Sequence, residues 1–169
     1  MKELKSRLET CSRERQAELD LTGVKCGAEG LSVLAISLPK CWGLTKLSLR
    51  QSAVLSKEAG SVLSAVLAAN EGLKWLDVSD NYDHSSGAID GPGFAQALSE
   101  GLAANDTLTA LSVSKNSLTG SLDKKFAWVA DMSGDIPLCE AINSKGVITK
   151  LDMSNNDLGT EGVKWCLPP

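Results

Sequence analysis

The sequence predicts an α/β solenoid in which short parallel strands alternate with helices. Three observations predict it. An apolar pattern recurs five times along the 169 residues. Between the copies the apolar spacing changes from two residues to about three and a half. Residues that begin helices stand near those changes.

The five copies are "AELDLTGVK", "LTKLSLRQS", "LKWLDVSDN", "LTALSVSKN" and "ITKLDMSNN". Four fit L-x-x-L-x-L-x-x-N/S, with Ile, Val or Met allowed at apolar positions. The first lacks the leading Leu and the closing Asn. The central leucines Leu19, Leu47, Leu76, Leu111 and Leu151 lie 28, 29, 35 and 40 residues apart. Self-similarity at such spacing marks a solenoid. Each strand is too short to be stable alone, so the units must stack to bury their leucines.

The intervening segments read as helices. "AEGLSVLAISL" aligns Leu31, Leu34 and Leu38 on one face. "SKEAGSVLSAVLAAN" aligns Ala59, Val62, Leu63, Val66 and Leu67, with Ser56 as N-cap. "DGPGFAQALSEGLAAN" has Asp90 near its cap and Pro92 in its first turn, then Phe94, Leu98 and Leu102. "DIPLCEAIN" is a shorter version with Asp135 and Pro137. Such starts satisfy or remove orphan N–H donors.

This pattern resembles the ribonuclease-inhibitor-like type of leucine-rich repeat, from Leu19 to about Leu167. The resemblance implies about five repeats, a curved parallel sheet on the concave side and helices on the convex side. The asparagine that would bond neighbouring turns is present as Asn81, Asn116 and Asn156 and replaced by Ser52 in the second unit. Residues 1–18 read as an N-terminal helix or capping half-repeat, with Leu4, Leu8 and Cys11 on one face. Residues 19–169 are the repeats, with insertions near 82–91 and 121–134 expected on one rim. The end, "EGVKWCLPP", stops within a helix without a polar cap. That ending fits a fragment of a longer protein, or assembly with a partner through the uncapped end.

Composition narrows the function. Hydrophobic residues make up 43%, ordinary for a folded domain. Seventeen basic and 21 acidic residues give a net charge of -4 without a basic cluster, which argues against nucleic acid. No run reaches the ~20 apolar residues that span a bilayer. The start, "MKELKSRLE", lacks the apolar stretch of a secretory signal. Five cysteines, an odd number without C-x-x-C spacing, read as free buried thiols in a reducing, cytoplasmic setting.

Strand alternation puts Glu18, Asp20 and Thr22; Lys46, Ser48 and Arg50; Trp75, Asp77 and Ser79; Ala110, Ser112 and Ser114; and Lys150, Asp152 and Ser154 on the open face. Trp75 thus stands between Lys46 and Ala110. Trp and Arg dominate many binding interfaces, so Trp75, Arg50, Lys46 and Asp77 form a candidate partner-binding set. The alternative is that an inserted loop folds over Trp75. In the second insertion, Phe126 and Trp128 could clamp a partner or tuck onto their own rim. Trp42 and Trp165, at helix ends, read as packing residues.

No catalytic, metal or cofactor site is expected. Asp80, Asp83, His84 and Asp90 lack the spacing of a calcium loop. His84 is the only histidine, with nothing to place it beside a nucleophile. No phosphate-binding loop motif is present. The sequence therefore predicts a non-enzymatic protein-interaction module that holds a protein through its concave face and rim loops, as a scaffold or part of a larger assembly. The alternative is a regulator of a small GTPase, since Ran GTPase-activating proteins resemble this repeat type. Arg50 would be its exposed candidate, and the acidic tail of that family is absent.

Overall fold

The computed structural model describes residues 1–82, 90–122 and 127–158. The chain begins with α1 (Lys2–Glu14), then β1 (Glu18–Asp20), α2 (Gly27–Ser37) and a 3-10 turn at Leu38–Lys40. β2 (Lys46–Ser48), α3 (Lys57–Ala69), β3 (Trp75–Asp77) and α4 (Gly91–Ala104) follow. Next come β4 (Ala110–Ser112), β5 (Gly120–Leu122), β6 (Trp128–Ala130), α5 (Asp135–Lys145) and β7 (Lys150–Asp152). Ser56 caps α3 by accepting the Ala59 N–H at 3.2 Å, and Asp90 caps α4 by accepting that of Gly93 at 2.8 Å.

Five strands form one parallel sheet in the order β1-β2-β3-β4-β7. Leu19, Leu47, Leu76, Leu111 and Leu151 stand side by side across it. Consecutive helices pack on one another from α1 to α5. Leu19, Leu47, Leu76 and Leu111 fill the space between sheet and helices together with Leu4, Leu8, Leu34, Leu63 and Phe94. Helices α3 and α4 approach closely because glycines face the neighbouring helix. A Cβ on Gly60 would meet the Phe94 carbonyl oxygen at 2.7 Å, and one on Gly101 would strike the Ser64 backbone.

A buried ladder of side-chain amides ties the units together. Asn81 Oδ1 accepts the Ser52 N–H at 2.7 Å, and Asn156 Oδ1 accepts that of Asn116 at 2.8 Å. The Asn81 amide nitrogen donates to the carbonyls of Leu49 and Val78, and that of Asn116 to Val78 and Val113. Ser52 keeps one part of this role, donating its hydroxyl to the Leu21 carbonyl at 2.9 Å. Chain segments leaving the sheet are thereby satisfied without strand pairing, as buried backbone groups require. The turn before each rung adopts a left-handed backbone, at Gln51, Asp80, Lys115 and Asn155, with φ of 55°, 58°, 57° and 57°. Such geometry is costly for a non-glycine residue and persists where surrounding bonds determine it.

Several expectations need correction. Leu151 is 38% exposed, because β7 is the last strand of the sheet and lacks a described neighbour on its outer side. The second insertion is not simply a loop: β5 and β6 pair antiparallel, with Leu122 opposite Trp128. Asp135 does not cap α5. It is the first helical residue, Gly134 holds the cap position, and the Asp135 side chain is fully buried. Cys11, Cys26 and Cys41 are free and buried, but Cys139 is disulfide-bonded, so the five cysteines are not all thiols. Trp42 is not a packing residue but stands 67% exposed, because it lies in the connection to β2 beyond the leucine positions. Among the described residues, no helix is long and apolar enough to cross a membrane.

Candidate functional site

The open face of the sheet is organised in rows. In the first, Glu18, Lys46, Trp75, Ala110 and Lys150 are lateral neighbours. In the second, Asp20, Ser48, Asp77, Ser112 and Asp152 are neighbours. Register makes these rows: equal strand lengths and a common phase put equivalent side chains side by side. Trp75 is half-buried, Ala110 beside it is buried and small, and Lys46 and Lys150 are exposed. The first row therefore presents one large apolar surface with a step beside it, flanked by two cations.

Local bonds restrain the charges. Lys46 Nζ lies 3.7 Å from Glu18 Oε2, with both side chains more than half exposed, a pair that holds little energy. Asp20, Asp77 and Asp152 each turn back to accept the backbone N–H two residues on, from Thr22, Ser79 and Ser154, at 2.9, 2.8 and 3.0 Å. The side-chain and backbone bonds from Thr22 hold the Asp20 carboxyl below its ordinary range, and those from Ser154 do so for Asp152. The open face therefore carries a row of fixed carboxylates beside the lysines. Ser48, Ser79 and Ser114, expected to point outward, are buried.

Arg50 is exposed but engaged. Its Nη2 lies 3.1 Å from Asp80 Oδ2, and Gln51 Nε2 donates to the same oxygen at 2.8 Å. The Arg50 bond is the main reason that the Asp80 carboxyl titrates low. Asp90 caps α4, so neither it nor Asp80 is a spare metal ligand. Among the described residues, no group of three His, Cys, Asp or Glu could hold a metal ion. Asp83, His84, Phe126, Trp165 and Cys166 lie outside the described residues. Trp128 is placed in β6, on the hairpin rather than in the sheet.

Sequence reasoning missed the exposure of Trp42, which is 67% accessible. The Arg15 guanidinium carbon sits 4.5 Å from the centre of the Trp42 ring, within cation–π range. Trp42 also borders a groove of about 330 Å³ that runs to the end of α3, with Leu38, Leu44, Val66, Ala69 and Glu71 among its walls. A signal existed in the sequence. Trp42 falls two positions before the leucine that opens its motif, where no core position is due.

No protein-family model matches the chain. Its fold is similar to the solved structure of leiomodin-1 actin-binding site 2, with a TM-score of 0.68 and 16% identity, over 95% of this chain and 86% of that one. It is similar as well to the tropomodulin C-terminal domain of Caenorhabditis elegans, with a TM-score of 0.65 and 14% identity, over 96% and 88%. At these identities the likeness is one of fold: a leucine-rich-repeat-like α/β arrangement around a parallel sheet.

Proposed function

We propose that this chain is a non-enzymatic protein-interaction module, a ribonuclease-inhibitor-like solenoid of about five repeats behind a capping helix. The observation that carries this reading is the fold shared, over nearly the whole chain, with leiomodin-1 actin-binding site 2 and with the tropomodulin C-terminal domain. Actin is accordingly the first partner to test. The open face supports the choice of surface: Trp75 and the step at Ala110 offer apolar contact, and Lys46 and Lys150 offer charge. Arg50 and Asp77 lie beside them, and the hairpin carrying Trp128 is the rim candidate together with Phe126. Trp42 is a second anchor, in the connection that leads into β2.

The regulator-of-a-GTPase reading gains nothing from Arg50, whose guanidinium is engaged by Asp80. A cytoplasmic home would accompany an actin partner. The bonded state of Cys139 makes the redox setting the point to check, since disulfides persist in oxidising compartments and are rare in the cytosol. Alkylation of thiols at cell lysis, before any air oxidation, separates the two settings.

The test is binding of the full chain to monomeric and filamentous actin, by fluorescence titration and co-sedimentation. Saturable binding that weakens at higher salt is the expected result. Absence of binding to both forms at micromolar concentrations removes actin and leaves the module reading to a proteome-wide partner search.

A further inference from the structure

We infer that Cys11 and Cys41 are a disulfide-forming pair that staples α1 to the connection entering β2. The pairing is built by packing. Leu4, Leu8 and Cys11 are the buried face of α1. Cys41 follows the 3-10 turn, and its Sγ lies 3.9 Å from the Leu8 carbonyl, three residues before Cys11 on that same face. The Cys11 sulfur sits 3.9 Å from the Gln16 carbonyl, and both thiols are buried in the same cluster. Ser12 adds a bond from α1 to the Lys40 carbonyl, which holds the two segments at this spot. Cys26 is a separate case. The ionic groups acting on it are the amino terminus and Glu3, at the other end of α1.

In the docked state the pair is unreactive. Cys11 and Cys41 are 0% and 4% exposed. Burial, and then the neighbouring Cys41 thiol, push the Cys11 pKa up to about 12, so little thiolate forms near neutral pH. Reaction therefore requires α1 to lift. A small-molecule disulfide such as oxidised glutathione supplies the oxidant. The thiolate of one cysteine attacks it, forming a mixed disulfide and expelling one glutathione thiolate. The second cysteine then attacks the protein sulfur, closing the Cys11–Cys41 bond and expelling the other. Two protein thiols lose two protons and two electrons, and one oxidised glutathione becomes two reduced molecules. The bond would close a loop of 29 intervening residues and hold α1 over the β1 end of the sheet.

The experiment incubates the full chain with oxidised glutathione at several temperatures below its unfolding midpoint. N-ethylmaleimide then quenches the reaction, and peptides are mapped without reduction. The expected product is a peptide joining Cys11 to Cys41, formed faster as temperature rises. It should be absent from Cys11→Ser and Cys41→Ser and retained in Cys26→Ser. The bonded protein should melt about 5–10 °C higher, because the cross-link restricts the unfolded chain. The inference is overturned if both sulfurs are recovered separately, alkylated or glutathionylated, at every temperature. It is equally overturned if the cross-link runs through Cys26 or between chains.

Discussion

The Asn116 side-chain oxygen accepts the Asn81 backbone N–H at 2.8 Å, so an amide in one unit completes the backbone of the unit before it. Both residues are buried, at 0% and 4% exposure. Replacing Asn116 by Ala would orphan that N–H, while the Val78 and Val113 carbonyls keep the Asn81 and Asn156 amides as donors. Each buried orphan costs about 1–3 kcal/mol. Asn116→Ala should therefore lower stability by about 1–3 kcal/mol, read as the urea midpoint with the slope unchanged. A midpoint within error of the parent chain would show that water replaces the amide.

Position in the sheet should outweigh residue type. Leu76 is fully buried in a central strand, whereas Leu151 occupies the same register in the edge strand and is over a third exposed. Leu76→Ala should cost about 2–5 kcal/mol, and Leu151→Ala less than about 1 kcal/mol. Equal losses in thermal or urea unfolding would mean that Leu151 is covered in solution.

Asp135 should make the fold less stable at neutral pH than at mildly acidic pH. Both its carboxylate oxygens are buried without a hydrogen-bond partner among the described residues. Burial, and then the charge of Asp131, raise its pKa from 3.8 to about 6. The folded state therefore binds the proton more tightly than the unfolded chain. Stability contributed by the neutral acid is present below about pH 4 and lost as pH rises through about 6, by up to roughly 3 kcal/mol. Asp20, Asp80, Asp131 and Asp152, with lowered pKa values, act in the opposite direction, and their contributions fade as pH falls below their ordinary range. Asp135→Asn should raise stability at pH 7 and flatten its dependence between pH 4 and 7. A variant less stable than the parent at pH 7 would reveal a partner for the carboxylate.

The glycine at the α3–α4 contact should not tolerate even a methyl group. Gly101→Ala would drive a Cβ into the Ser64 backbone, which cannot swing aside as a side chain would. The helices would have to separate, with a cost of about 1–3 kcal/mol or more. A melting curve rising with the better helix propensity of Ala would contradict this packing.

The two tryptophans divide the binding hypotheses. Trp42→Ala should leave the melting midpoint nearly unchanged, because the ring is mostly in solvent. Trp75→Ala should cost some stability, because that ring is half-buried. If the open face is the site, only Trp75→Ala weakens actin binding, by about 2 kcal/mol or more, the mark of a hot spot. Loss confined to Trp42→Ala would move the site to the groove beside α3. Loss in neither would exclude both surfaces.

The sequence by itself determined the five strands of the parallel sheet, their register and the amide rungs, but not the β5–β6 hairpin. A leucine pattern with a two-residue period, repeated in phase, permits only one side of each strand to face the core. Ser56 and Asp90 announced their helices because a cap is a local bond between residues three apart. Tertiary structure decided everything that depends on what stands next to a residue from another unit. Leu76 and Leu151 occupy the same motif position, yet among the described strands only Leu76 has one on each side. Asp135 matched a helix-start pattern, but packing around α5 buried it. The Arg50–Asp80 pair and the Cys11–Cys41 contact each join residues about 30 positions apart, a distance over which local pattern carries no geometric information. Trp42 is exposed for the same reason: the repeat specifies which residues enter the core, while stacking of the units decides which of the others are left in water.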